Sequence, residues 1–163
     1  MLQFVFATAA VQPVTPTDLL TIHVRNRARY VAAGVTGLLV HHQGSFLHIL
    51  EGPAQTVQGE YEAVAASRDH RRLLLSRRAE VAARAFDGWG VALPVDPTRT
   101  QLPGVVDYAE LVELAAYHDP VGPWWAVAEF CRGRLRQAQV GAAWPGRGGD
   151  GAAARYPAVG RGW

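Results

Sequence analysis

The chain has no lysine and only one cysteine, Cys131, among its 163 residues. A single cysteine excludes an internal disulfide and any multi-cysteine metal site. No apolar run approaches the roughly 20 residues that cross a bilayer as a helix. No basic segment precedes the apolar Leu2–Phe6 stretch, so the start is a poor signal peptide. These absences lead to the expectation of a soluble cytoplasmic protein with no membrane partner. Neither charge sign is in large excess: 16 arginines against 14 acidic residues give a net charge of +2. The arginine-only usage is compatible with genome composition alone and is given no functional weight.

What is present is enough apolar material for a core. Hydrophobic residues make up 49% of the chain and charged residues 18%, which fits one domain with an appendage. Leu2 to Ala7 reads as a first strand. Thr15-Pro16-Thr17-Asp18 opens a helix: Thr15 caps, Pro16 suits the first position, and Asp18 faces the free N–H groups. Leu20, Val24, Ala28 and Val31 follow at spacings of four, four and three, which places them on one face. Gly34 ends that helix.

Two apolar stretches around Gln43-Gly44 then read as a β-hairpin over about 35–51. A second helix follows Gly52-Pro53, with Val57, Tyr61, Val64 and Ala65 as its expected buried stripe. A fourth strand is expected within 73–83 and a fifth at Trp89–Leu93. The order β-α-β-β-α-β-β predicts an α+β, ferredoxin-like sandwich with both helices on one face of the sheet. Pro94, Pro97 and Pro103 mark a connector. Two additional C-terminal helices follow, one starting at Asp107 with Glu110 completing a capping box, the other running from Gly122-Pro123 to about Ala138. The segment 141–163 holds seven glycines and reads as a flexible tail rich in Gly, Ala and Arg.

The run "GVTGLLVHHQGSFLHILEG" at 34–52 resembles the central hairpin of BLUF domains, small flavin-binding sensors of blue light. The first strand, Val57 and Tyr61, the "Ser-Arg-Asp-His" end of the second helix and "Arg84-Ala85-Phe86-Asp87-Gly88-Trp89" extend the resemblance over about residues 1–95. It implies a BLUF-like domain at 1–95, a helical extension at 96–140 and the tail at 141–163. It also implies FAD as cofactor, held between the two helices.

In the family a strand-one tyrosine and a hairpin glutamine relay hydrogen bonds to the ring. Two adjacent side chains ending the first helix, usually asparagines, bind its polar edge. An arginine and an aspartate on the second helix complete the cradle, and a tryptophan on the last strand lies nearby. The resemblance places these functions at Phe6, His48, Arg29 and Tyr30, Ala63 and Ser67, and Trp89. Only Trp89 keeps the family residue; the methionine two positions later is Val91. Phe6 has no hydroxyl to give up a proton. A primary amide offers a donor and an acceptor in one plane, which His48 and Arg29 do not reproduce.

The expectation is therefore a sensory or regulatory module that does not run the family's photocycle and works through contacts. The alternative is an FAD-binding photoreceptor with a pocket remodelled around Arg29, Tyr30 and His48. His48 also reads simply as a half-buried strand histidine satisfied by backbone. His41 and His42 are neighbours on a strand and point to opposite faces, so they do not share a metal.

No Ser/His/Asp or paired-carboxylate spacing stands out. Ala7 to Val14 lacks the glycine and arginine of a phosphate-cradling loop, so an enzyme is not expected, and Cys131 reads as core. The arginines at 68, 71, 72, 77 and 78 read as a solvated edge, an argument against nucleic acid. Trp124, Trp125 and Phe130 are too apolar for open solvent and are expected either to cover the free face of the sheet or to form a subunit interface. The family's habit implies a protein partner, or self-association, through the sheet face and C-terminal helices.

Overall fold

The computed structural model describes residues 1–93, 102–117, 122–133 and 135. The expectations for Pro94, Pro97, the last turns of the fourth helix and the 141–163 tail lie outside these residues.

The elements are β1 (Leu2–Ala10), α1 (Pro16–Ala32), β2 (Thr36–His42), β3 (Ser45–Gly52), α2 (Ala54–Ala66), β4 (His70–Glu80), β5 (Trp89–Leu93), β6 (Val105–Asp107), α3 (Tyr108–Tyr117) and α4 (Gly122–Cys131). One sheet has the order β4-β1-β3-β2-β5-β6. The β3 strand runs antiparallel between β1 and β2, while β5 and β6 add in parallel at the far edge. This is the expected α+β, ferredoxin-like arrangement, with a short sixth strand that the proline-marked connector concealed.

Strand alternation sorts the core into two layers. Phe4, Phe6, Leu39, Leu50, Trp89 and Val91 face α1 and α2. Val5, Ala7, Leu38, Val40, Leu47 and Ile49 face the C-terminal helices, meeting Leu111, Trp124, Val127 and Phe130. The central strands are apolar on both sides because both faces of the sheet are covered.

The α1 start is built as its sequence implies. Thr15 accepts from the Asp18 N–H, and Asp18 accepts from the Thr15 N–H. Its apolar spacing proved deceptive. The face on the sheet carries Leu19, His23 and Tyr30, whereas Val24 and Val31 are 58% and 64% exposed. The helix thus has two apolar stripes, and periodicity alone does not say which one meets the sheet. In α2 only Val57 is fully buried; Tyr61 and Val64 are partly so, and Ala65 is exposed.

Gly37 of β2 lies opposite Leu50 of the antiparallel β3. Its φ of +145° and the 1.9 Å from an added Cβ to the Ile49 carbonyl oxygen leave room for glycine alone. Farther along β3, Glu51 is completely buried. Its carboxylate accepts from Gln3 Nε2 at 2.8 Å, from the Ala85 N–H at 3.0 Å and from the Phe86 N–H at 3.2 Å. Arg84 donates to the Gly34 and Glu51 carbonyls. The segment leading into β5 is thereby tied to the hairpin.

Candidate functional site

Phe6 and His48 are directly paired residues of β1 and β3. Antiparallel partners place their side chains on the same face a few ångströms apart. Here the two rings stack, with centroids 4.5 Å apart and planes 3° from parallel. Phe6 is wholly buried. Tyr61 of α2 meets Phe6 edge-on at 5.1 Å and Phe4 at 4.1 Å.

Thr8 lies two residues beyond Phe6 and so shares its face. Its Oγ1 is 3.2 Å from His48 Nε2 and 2.9 Å from His70 Nδ1, the latter on β4. A hydroxyl has one proton, so Thr8 donates to one imidazole and accepts from the other. Phe46, opposite Thr8 on β3, meets the His70 ring at 5.1 Å and the His41 ring at 4.8 Å. Burial, followed by the neighbouring His70, pushes His48 down to about 3. Burial also lowers His70, against the opposing effect of Asp69, and lowers His41, helped by His42. At neutral pH this is a ring of uncharged imidazoles and aromatics.

The second cluster joins the two helices. Arg29 forms a bidentate pair with Glu60 of α2; Nη1 meets Oε1, and Nη2 meets Oε2 at 2.8 Å. The Tyr30 hydroxyl donates to the same Oε2 at 3.0 Å. Burial, then the Glu60 carboxylate, raises the Tyr30 phenol above its ordinary value. The hydrogen bond to Glu60 likewise raises Arg29. The Tyr30 ring also meets Trp89 edge-on at 4.6 Å. Trp89 is buried and its Nε1 has no hydrogen-bond partner among the described residues, while its carbonyl accepts from Arg27 Nη1 at 3.0 Å.

The expected site residues therefore fall into groups. Phe6 and His48 meet in the first cluster; Arg29, Tyr30 and Trp89 meet in the second. Ala63 is exposed, and Ser67 ends α2, where its Oγ accepts from the Asp69 N–H at 3.1 Å. Neither joins the clusters. Thr8, His70 and Glu60 are central here and were not singled out from sequence. The period-two spacing from Phe6 to Thr8 was a usable signal. His70 was read as a helix end, and Glu60 carries no local pattern that points to α1.

A family model for BLUF, sensors of blue-light using FAD, matches residues 1–92. The chain belongs to the BLUF family. Among solved structures it is similar to BlrP1 from Klebsiella pneumoniae in a calcium and cyclic-di-GMP complex, with 19% identity and a TM-score of 0.60 over 81% of this chain and 34% of that one. It is also similar to the dark-state structure of the BLUF protein BlrB, with 22% identity and a TM-score of 0.57 over 82% of this chain and 94% of that one. The BLUF portion of BlrP1 gives 20% identity and a TM-score of 0.56 over 80% and 90%. The chain thus spans about a third of the longer BlrP1 structure. No curated protein matches the sequence. At these identities the likeness to solved structures concerns the fold. No described helix is long and apolar enough to cross a membrane.

Proposed function

We propose that this BLUF-family chain is a regulatory module that acts through protein contacts and does not run a flavin photocycle. The observation that carries the reading is the Phe6–His48 stack. Where the family has a phenol beside an amide, this chain has a phenyl ring against an imidazole at 4.5 Å. A phenyl ring supplies no proton with its electron, and no side-chain rotation changes that.

The remaining positions support the same reading. Isoalloxazine needs free donors and acceptors along its edge, but Arg29 and Tyr30 are both engaged by Glu60. His48 Nε2 already contacts Thr8. Releasing such groups to a ligand gives up the Glu60 contacts and leaves the buried Thr8 hydroxyl short of a partner, the latter at about 1–3 kcal/mol. Ala63 and Ser67 offer no guanidinium or carboxylate. By this test the residues present do not fit the flavin.

A module of this kind signals by touch. Trp124 and Phe130 are buried against the sheet within the chain, so the sheet face is covered and the outer helix surfaces are left for contact.

The absorption spectrum of the purified protein, recorded before and after incubation with FAD, tests the reading. The expected protein is colourless and does not retain FAD through gel filtration. A bound flavin band that shifts to the red under blue light would overturn it.

A further inference from the structure

Six large hydrophobic side chains stand exposed among the described residues: Met1, Val11, Val24, Val31, Leu102 and Val112. Four of them fall on two patches. Val24 and Val31, with Ala28 between them, form the outward stripe of α1. They line a groove of about 320 Å³ whose other wall is Leu102 and Pro103. Val112 lies on the outer face of α3, where Ala109 and Ala116 are exposed at helical spacing beside it.

The two patches are opposite in charge. The α1 stripe is flanked by Arg25 and Arg27, and the only acidic residue of that helix, Asp18, is used in its cap. The α3 stripe carries Glu110 and Glu113, both exposed. Arg25, Glu110 and Glu113 form no ion pair with another described residue. Valine and alanine stand at i, i+4 and i+7 on α1 (Val24, Ala28, Val31) and at i, i+3 and i+7 on α3 (Ala109, Val112, Ala116), spacings suited to helix-on-helix docking. The small alanines permit close approach.

The stripes cannot meet within one chain. Leu19 and Tyr30 of α1 pack on one face of the sheet, while Leu111 and Ala115 of α3 pack on the other. We infer that the α1 groove of one copy receives the α3 face of a second copy, so that the chain assembles head to tail. The inference rests on the contact-based function proposed above and names its partner. Because the two surfaces differ and lie on opposite sides, the contact is heterologous. It repeats until a ring closes, or it runs on as a chain.

Light scattering coupled to gel filtration, over a wide concentration range, tests this. The expected mass climbs past two copies and falls as salt is raised. Val24→Asp, Arg25→Glu and Glu113→Arg each weaken association at least about tenfold while circular dichroism stays native. Combining Arg25→Glu with Glu113→Arg restores assembly, because each reversed charge then meets its opposite. A monomer at every concentration, a strict dimer, single reversals without effect, or a double variant that stays apart would each overturn the inference. A colourless monomer would sink this contact and leave the non-photochemical reading standing. A yellow protein that responds to light would sink that reading, with the contact still judged by mass.

Discussion

The Tyr30 hydroxyl of α1 donates to the Glu60 carboxylate of α2 across 3.0 Å. With Arg29 on the same carboxylate, one acid of α2 gathers two neighbouring residues of α1.

That clasp is expected to stabilise the helix pair. Tyr30→Phe removes a partly buried, charge-assisted hydrogen bond, for an expected loss of about 1–2 kcal/mol. Glu60→Ala is expected to cost more, about 2–3 kcal/mol, since it also leaves the Tyr30 hydroxyl without its partner. Urea unfolding measures both. Two variants with wild-type midpoints would show the clasp to be idle.

The histidine cluster predicts an acid-sensitive fold. His48 titrates near 3 in the folded chain but near 6.5 when unfolded. Between these values the unfolded chain binds the extra proton, so stability falls as pH drops from about 6.5 towards 3. His23, His41 and His70 are also lowered and act in the same sense. Glu51 is raised by burial and opposes them as pH rises above its unfolded value. His48→Gln is expected to flatten the acid limb by about 1.4 kcal/mol per pH unit, the share of one proton. Denaturation midpoints collected from pH 7 to 4 supply the comparison, and parallel curves for variant and parent would refute the assignment.

Glu51 predicts a local defect as well as a global one. Glu51→Ala strips the acceptor from the Ala85 and Phe86 N–H groups and from Gln3. The expected loss is about 3–5 kcal/mol, given two buried donors and one part-buried donor left unpaired. Hydrogen exchange reads the mechanism directly, because the Ala85 and Phe86 amides are expected to lose protection first. Unchanged protection there would show that the backbone is held by something else.

Gly37 predicts an intolerant position. An added Cβ would lie 1.9 Å from the Ile49 carbonyl oxygen, so Gly37→Ala must push apart the β2–β3 pair. A loss above about 3 kcal/mol is expected, with soluble yield falling in step. A folded, equally stable Gly37→Ala protein would mean that the hairpin register is softer than its pairing implies.

Much of the fold was legible in sequence. The Gln43-Gly44 turn with apolar flanks marked the hairpin, and Trp89–Leu93 was bounded as observed. Thr15, Pro16 and Asp18 announced the α1 start through local hydrogen bonding alone. The packing face of α1 was not legible, because Leu20, Val24, Ala28 and Val31 form as regular a stripe as Leu19, His23 and Tyr30. Strand β6 was missed because three residues against an edge carry no periodic signal.

The site was legible as positions and not as contacts. Strand order and the hairpin sequence pointed to Phe6, His48, Arg29, Tyr30 and Trp89, and the structure brings Phe6 against His48 and Tyr30 against Trp89. Nothing local linked Tyr30 to Glu60, thirty residues apart, or His70 to Thr8, sixty-two apart.

The sequence by itself determined the order of elements as far as β5 and the family, since each depends on short-range pattern or residue chemistry. Only the tertiary structure decided that Phe6 stacks on His48, that Glu60 claims Arg29 and Tyr30, and that one apolar stripe of α1 stays outside. Those outcomes depend on which distant side chains the sheet and its two helical layers bring within reach, and that is a property of packing that no local window contains.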